Sequence, residues 1–293
     1  MSNTTALLTP EMLAQLERME LVSRKIFRGR MKGERRSRRK GQSVEFADFR
    51  NYVPGDDVRF IDWNTYARLD RLFLKMFVEE EDLHFYALID ASRSMDFGDP
   101  TKLRYAMQLA AALGFVGLVR GDRVKIETLG QPSPAPALRG RRNLWRMLDS
   151  LEKIEPGETI SLSQGCRNFC LRNSGKGIVV LISDLMDKGG YEPALRYLLA
   201  QDLDVYVIHV LSAEEIEPDL KGDLRLIDCE DRDVAEITVS GPLMKRYRRT
   251  LAAFVGSARE FCTRRGMLYV MARNDVPVEQ LVTGYLRERG LVR

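Results

Sequence analysis

The chain has 293 residues, of which 44% are hydrophobic, and its 46 Lys and Arg against 42 Asp and Glu give a net charge of +4. The apolar fraction excludes a disordered chain, and 22 glycines with 11 prolines exclude a collagen-like one. We expect a soluble globular protein of one large or two small domains, because a chain of this length buries a core without covalent cross-links.

The first predicted element is an amphipathic helix that follows Pro10. Its apolar residues recur at three- and four-residue spacing, at Met12, Leu16, Met19 and Val22. The helix leads into a basic arm, residues 24–41, which holds ten Lys or Arg residues and one Glu and so carries +9. The other 36 basic and 41 acidic residues leave −5, so the average charge describes neither part.

From about residue 72, predicted strands alternate with predicted helices. Apolar runs indicate five strands, over residues 84–90, 123–129, 177–184, 204–211 and 267–272. Helices are predicted from Asp99-Pro100 to Gly121, over 142–151, through Phe169, around 194–199, from Pro242 to Gly266, and from Pro277. The segments LRLID and AEITV indicate a two-stranded appendage. This alternation predicts an α/β fold with a doubly wound, mostly parallel sheet.

Oxygen donors follow two of these strands. Asp90, Ser92 and Ser94 come after the first strand, Asp184 ends the third, and Thr159 lies in the loop before it. Parallel sheets bind ligands beyond the carboxyl ends of their strands. Two carboxylates and three hydroxyls, without His or Cys, suit a hard divalent cation, so we expect Mg²⁺, with Mn²⁺ or Ca²⁺ as alternatives.

These motifs resemble two known groups of proteins. Asp-x-Ser-x-Ser after a buried strand, Gly-x-Thr in a middle loop and Ser-Asp at the end of a later strand look like the metal-ion-dependent adhesion site of von Willebrand factor A domains. GQSVEFADFRNYVPGDDVRFIDWNTYARLDRLFLKMFVEEED, which runs into YALIDASRSM, resembles the signature of the bacterial domain of unknown function 58 family. This second resemblance extends from about Gly41 to the C-terminus.

The resemblance implies a von Willebrand factor A-like (Rossmann-like) domain over residues 73–293. Residues 1–72 would form the N-terminal helix, the basic arm and an extended segment. A protein-interaction adaptor is implied, which captures an acidic residue of a partner and works with a MoxR-type AAA+ ATPase to assemble or activate protein complexes.

The resemblance also assigns roles at the site. Ser92 and Ser94 would contact the metal directly, and Thr159 directly or through water. Asp90 and Asp184 would act through water and orient the hydroxyls, while a sixth position stays open for a carboxylate of the partner. Because Leu185 stands where the family has glycine, Asp187 is a further candidate.

Enzymatic activity is not expected. Nucleophilic catalysis by a serine needs a nearby base, and the two histidines, His84 and His209, both lie in predicted strands. The catalytic possibility that does not need such a base is a metal-dependent hydrolase, which is the second alternative to an adaptor.

The basic arm supports the first alternative, binding of nucleic acid or of an anionic membrane surface. Its densest charges are Arg35, Arg36, Arg38, Arg39 and Lys40. No aromatic residue lies between Met31 and Gln42, so a base-stacking platform is absent, which favours a solvated or protein-docking tract over nucleic acid.

The extended segment also has two interpretations. Arg59, Asp62 and Trp63 could belong to a packed ion-pair network with Trp63 as its anchor, or to a docking surface. Packing is favoured, because it is the commoner use of an aromatic residue.

A reducing, cytoplasmic location is expected from three negative features. The four cysteines include no C-x-x-C pair, and the N-terminus lacks the order of a signal peptide. The longest apolar stretch, residues 106–119, is shorter than the roughly 20 residues that a transmembrane helix needs.

Overall fold

The computed structural model describes residues 7–23, 45–78, 83–130, 136–157, 160–173, 175–230 and 232–293. The chain divides into two compact units, one of Met1–Arg28 with Leu83–Arg293 and one of Gly29–Asp82. The units do not share the boundary at 72/73 expected above. Helix α1 (Pro10–Leu16) packs in the larger unit, and the strand that begins at Phe73 pairs within the smaller one.

The smaller unit is built on an antiparallel pair of strands. Strand β1 (Glu45–Asn51) pairs with β2 (Phe73–Val78). A 3₁₀ turn, Val58–Phe60, and helix α2 (Trp63–Leu69) lie between them in the sequence. Asp62 caps α2, because its Oδ1 accepts the Asn64 N–H at 3.1 Å.

The described residues of the larger unit form seven strands in two sheets. They are β3 (His84–Ile89), β4 (Arg123–Thr128), β5 (Gly177–Ser183), β6 (Leu203–Leu211), β7 (Asp223–Ile227), β8 (Val234–Thr238) and β9 (Leu268–Arg273). The main sheet has the order β4-β3-β5-β6-β9 and is parallel throughout, while β7 and β8 form an antiparallel hairpin. The predicted strands are confirmed to within one residue at each end.

Helices cover both faces of the main sheet. They are α3 (Lys102–Arg120), α4 (Leu144–Glu152), α5 (Leu162–Arg172), α6 (Glu192–Leu199), α7 (Ala213–Ile216), α8 (Gly241–Arg264) and α9 (Val278–Gln280), followed by a π-helical turn, Leu281–Leu286. One apolar cluster joins α1, α3, α4 and the C-terminal segment to the sheet, and a second joins α5, α6 and the end of α8 to its other face. This is the Rossmann-like, doubly wound arrangement that the sequence predicts.

Three predicted helices differ from the observed ones. The first ends at Leu16 instead of continuing to Val22, because the chain becomes extended and Leu21 forms an antiparallel bridge with Val292. Helix α3 begins after Thr101, whose hydroxyl caps the Arg104 N–H, and not at Asp99-Pro100.

Helix α8 is the third. Its bounds, Gly241–Arg264, agree with the prediction to within two residues, but its first half is largely exposed: Ala258, Phe261 and Cys262 in the last turns are buried, and Phe254 and Val255 are partly buried.

The strand order places a crevice at the carboxyl edge of the sheet. The chain passes from β3 to β4 on one side and then returns to β5 on the other side of β3. Strand order therefore reverses between β3 and β5, the position at which sheets of this kind bind ligands.

Candidate metal site

Two serine hydroxyls lie at the carboxyl end of β3. Ser92 precedes a 3₁₀ turn (Arg93–Met95), and its Oγ is 3.0 Å from the Oγ of Ser94. Adjacent oxygen ligands of an octahedral Mg²⁺ lie about 3.0 Å apart, because each Mg–O bond is about 2.1 Å long. The spacing of the two hydroxyls therefore fits neighbouring ligands of one small cation.

Asp90 holds this turn in place. Its Oδ1 accepts the Ser92 N–H at 3.0 Å, and its Oδ2 accepts the Ser183 hydroxyl at 2.6 Å. Burial, and then the negative charge of Asp184, raise the pKa of Asp90. The negative charge of Asp184 therefore acts on Asp90.

Asp184 is 1% exposed and is also fully engaged. Its Oδ1 accepts the Met186 N–H at 3.0 Å, and its Oδ2 accepts a hydrogen bond from Lys102 Nζ at 2.8 Å. Leu185, which occupies the glycine position of the adhesion motif, adopts a left-handed conformation with φ of 59°. The backbone therefore turns sharply here without glycine.

Lys102 and Glu215 are site residues that sequence reasoning missed. Lys102 is fully buried, and its Nζ lies 2.8 Å from Asp184 Oδ2 and 2.6 Å from Glu215 Oε1. Glu215 also forms a capping box with Ser212 at the start of α7. The Ser-x-x-Glu spacing could have identified Glu215 as a capping residue. No local signal indicates that Lys102 is buried, because its partners are 82 and 113 residues away.

Thr159 and its neighbour Glu158 lie outside the described residues. Gly157, just before them, forms a parallel bridge with Ser92, and its N–H donates to the Ala91 carbonyl at 3.0 Å. The start of the middle loop is therefore held against the serine turn.

Asp187, the further candidate, binds backbone groups. Its carboxylate accepts the Leu162 N–H at 2.5 Å, at the start of α5, and the Gly189 N–H at 2.6 Å. Asp187 thus ties the beginning of α5 to the loop after β5.

The turn between β7 and β8 carries Glu230, whose pKa responds to the same carboxylates. Burial, and then the negative charges of Asp184 and Asp90 among others, raise the pKa of Glu230. A glutamate on the hairpin therefore adds to the negative potential at the carboxyl edge of the sheet.

The two histidines lie apart from the serine turn. His84 is at the amino end of β3, where its Nδ1 is 3.1 Å from the Tyr86 hydroxyl. His209 is fully buried in β6, and its Nδ1 is 2.7 Å from the Tyr269 hydroxyl. Burial lowers the pKa of His209 to about 4, so it is neutral at pH 7.

Within the described ranges, no three Asp, Glu, His or Cys side chains form a metal-binding group. The candidate donors are instead the hydroxyls of Ser92 and Ser94, together with the carboxylates of Asp90 and Asp184. Such a set contains only hard oxygen atoms, which fits Mg²⁺ better than Zn²⁺ or Cu²⁺.

The charged tracts named above are only partly described. Arg35, Arg36, Arg38, Arg39 and Lys40 of the basic arm lie outside the described residues. In the smaller unit, Arg59 pairs with Asp57 at 2.5 Å, and Asp62 lies 3.5 Å from Lys75. Trp63 is 58% exposed, so it is not the packed anchor of the segment, and the docking interpretation stays open.

The fold and the site together define an α/β protein with a parallel, Rossmann-like sheet and a cluster of oxygen donors at its switch point. A family model described as "Protein of unknown function DUF58" matches residues 48–256. The chain belongs to this family.

Similar relatives include Uncharacterized protein Rv1480 of Mycobacterium tuberculosis and Uncharacterized protein Mb1516 of Mycobacterium bovis. Each is 28% identical over 252 residues, which covers 83% of this chain and 79% of the relative.

Two solved structures show weaker similarity. The conserved hypothetical protein BatB from Bacteroides thetaiotaomicron has a TM-score of 0.44 and 14% identity, covering 70% of this chain and 98% of its own. An aerotolerance-related membrane protein from Bacteroides fragilis has a TM-score of 0.43 and 14% identity, covering 70% and 99%. In the part of this chain that the structure describes, no helix is long and apolar enough to cross a membrane.

Proposed function

We propose that this protein is an adaptor with a von Willebrand factor A-like domain, which binds a divalent cation and uses it to capture an acidic residue of a partner protein. Ser92 and Ser94 would hold the cation, with Asp90 and Asp184 behind them. Thr159 belongs to the proposal through the family resemblance alone. Mg²⁺ is the expected cation, with Mn²⁺ or Ca²⁺ as alternatives.

One observation carries the proposal. The Ser92 and Ser94 hydroxyls are 3.0 Å apart at the switch point of the sheet, next to the buried carboxylates Asp90 and Asp184. When bound, the cation supplies a positive centre that attracts a carboxylate. This chain's residues orient the hydroxyls, through the bond from Ser92 N–H to Asp90, and keep the negative charge behind them.

Recognition is proposed instead of catalysis. His209 is fully buried and bonded to Tyr269, and His84 is at the opposite edge of the sheet. Neither position gives a serine of the site a base that substrate could reach. A cytoplasmic location and a MoxR-type AAA+ ATPase as partner also belong to the proposal, and both rest on the sequence.

Cation binding is tested by titrating the protein with MgCl₂ in an isothermal calorimeter. We expect Ser92→Ala with Ser94→Ala to weaken Mg²⁺ binding by at least about tenfold, because two ligands are lost. Ser257→Ala, an exposed hydroxyl of α8, is the matched control and should leave the affinity unchanged. Equal binding by wild type and the double variant would contradict the proposed site.

Partner capture is tested with a purified MoxR-type ATPase from the same genome, immobilised on a sensor surface. We expect binding in Mg²⁺ that disappears in EDTA and in the double serine variant. Binding that survives both would show that the interaction does not use the site.

A further inference from the structure

Two buried carboxylates, Asp90 and Asp184, and a partly buried one, Glu215, surround or adjoin the buried ammonium group of Lys102. The relative exposures of the side chains are 2% for Asp184, 16% for Glu215 and 0% for Lys102, and Asp90 as a whole residue is 8% exposed. When all four groups are ionised, their charges leave a residual of −2. A buried residual charge is costly unless a counter-ion neutralises it.

The position of Lys102 is unfavourable by itself. Lysine is almost never fully buried unless it is paired. Lys102 also opens α3, and the dipole of a helix disfavours a cation in the first turn. Asp184 and Glu215, at 2.8 and 2.6 Å, offset both costs. The ammonium group is therefore held by carboxylates from two separate parts of the chain, the turn after β5 and helix α7.

We propose that Lys102 determines which cations the site accepts. Its ammonium group supplies one positive charge to the three carboxylates, so the four groups keep a net charge of −2, which matches the charge of a dication. The inference rests on the proposed function, since it concerns the same site. Glu215 acts through Lys102, because its Oε1 bonds the ammonium group while its Oε2 accepts the Ser212 N–H at 2.7 Å.

A series of variants changes the residual charge in steps. Glu215→Gln leaves −1, Lys102→Met leaves −3, and the double variant returns to −2. Glutamine can still serve in the capping box, so Glu215→Gln spares the start of α7. The probes are MgCl₂ and TbCl₃, titrated by calorimetry, because Tb³⁺ carries one more charge on the same hard-ligand chemistry.

We expect Glu215→Gln to weaken Mg²⁺ binding by about tenfold, since one attractive charge is lost from a dication. Lys102→Met should raise the preference for Tb³⁺ over Mg²⁺ by about tenfold, because the residual charge becomes −3. The double variant should restore the wild-type preference to within about twofold, since its residual charge equals that of wild type.

The control pair is Lys153 and Asp149, whose ammonium and carboxylate groups are 2.6 Å apart but 71% and 65% exposed. Asp149→Asn and Lys153→Met make the same changes of charge away from the site and should leave both affinities unchanged. Thermal unfolding in EDTA reports on folding. If Lys102→Met does not fold, Glu215→Gln and the double variant still decide the outcome.

Each outcome has one meaning. A wild-type protein that binds neither cation would overturn the proposed function and the inference together. Wild-type binding with the same Tb³⁺ preference in every variant would overturn only the inference. A folded double variant whose preference for Tb³⁺ over Mg²⁺ differs from that of wild type as much as that of Lys102→Met would also overturn the inference. Lys102 would then act through its shape and not its charge.

Discussion

Gly177 begins β5 and pairs with His84 at the start of β3, and these two strands lead to Asp90 and Asp184. A Cβ atom at this position would lie 2.0 Å from the His84 carbonyl oxygen, and the residue has φ of 153°. Since the obstacle is backbone, no side-chain movement relieves it. The spacing of the strands at the amino edge, and with it the alignment of Asp90 and Asp184 at the other edge, depends on a residue without a side chain.

We therefore predict that Gly177→Ala lowers the free energy of unfolding by more than about 2 kcal/mol, measured by urea denaturation. Gly256→Ala in the exposed part of α8 is the control, because nothing lies within 4 Å of its Cβ. That substitution should raise stability by about 0.5–1 kcal/mol through helix propensity. Equal effects of the two substitutions would contradict this account of Gly177.

Glu127 is a buried carboxylate whose charge stabilises the fold away from the candidate site. It is 2% exposed and accepts hydrogen bonds from Arg172 at 2.8 Å and Asn173 at 2.9 Å, with Lys125 Nζ at 2.7 Å. Burial alone would raise its pKa, but the hydrogen bonds from Lys125, Asn173 and Arg172 outweigh burial, and the pKa lies below its ordinary value of 4.5.

A lowered pKa in the folded state means that the charge stabilises the protein above the pKa of the unfolded chain. We predict that Glu127→Gln costs about 1–3 kcal/mol at pH 7, because the partly exposed Lys125 and Arg172 lose a buried, hydrogen-bonded carboxylate partner. The difference in free energy of unfolding between wild type and Glu127→Gln should shrink as the pH falls below about 4.5 and then through the lower pKa that Glu127 has in the folded state. Urea denaturation at pH 7 and pH 3.5 measures it, and a difference that grows in acid would contradict the sign.

The sequence predicts residues of the candidate site only where side chains of a suitable ligand type lie close together in the chain. Asp90, Ser92 and Ser94 lie within one turn after an apolar strand, so their convergence follows from the sequence. Lys102 has no such local signal, because its burial comes from contacts with distant parts of the chain. For Trp63 the sequence favours packing, because a large aromatic residue is usually covered, but its side chain is exposed.

At the scale of elements, the β7–β8 hairpin adds negative electrostatic potential at the site through Glu230, but its strands contribute no buried side chain to the core. None of the ten residues in its strands is buried. Its ends are adjacent, because the Val239 N–H donates to the Gly222 carbonyl at 2.9 Å. The hairpin can therefore be removed with its ends joined directly.

We predict that replacing residues 223–238 by two glycines changes the free energy of unfolding by less than about 0.5 kcal/mol. Mg²⁺ binding should weaken, because the charge of Glu230 is removed from the edge of the site. Glu230→Gln is the matched control, which should reproduce the weaker binding with the hairpin intact. A large loss of stability on removal would show that the hairpin belongs to the core.

Elements differ in how well the sequence specifies them. The strands of the main sheet were predicted to within one residue, because continuous Val, Ile and Leu runs have few other structures that bury both faces. Helix α1 was predicted too long, since Met19 and Leu21 are buried in an extended segment that pairs with the C-terminus. Apolar spacing alone cannot distinguish these two ways of burying the same residues.

At the scale of the whole molecule, the fold class followed from the alternation of strands and helices, but the division into units did not. The N-terminal segment returns to the larger unit, where Arg120 Nε donates to the Met19 carbonyl at 3.0 Å. The larger unit is therefore discontinuous in sequence, and a single boundary along the chain cannot separate it from the smaller one. Contacts between distant segments decide such a division, and no local pattern encodes them.

The same long-range contacts determine when the candidate site can exist. Lys102 meets Asp184 across 82 residues and Glu215 across 113, so closing the cluster requires large loops to form first. The partly folded chain offers a cation two isolated serines and scattered carboxylates. Under the proposed function, capture of a partner through this site is restricted to molecules that have completed their folding, because the cluster forms only when these distant segments meet.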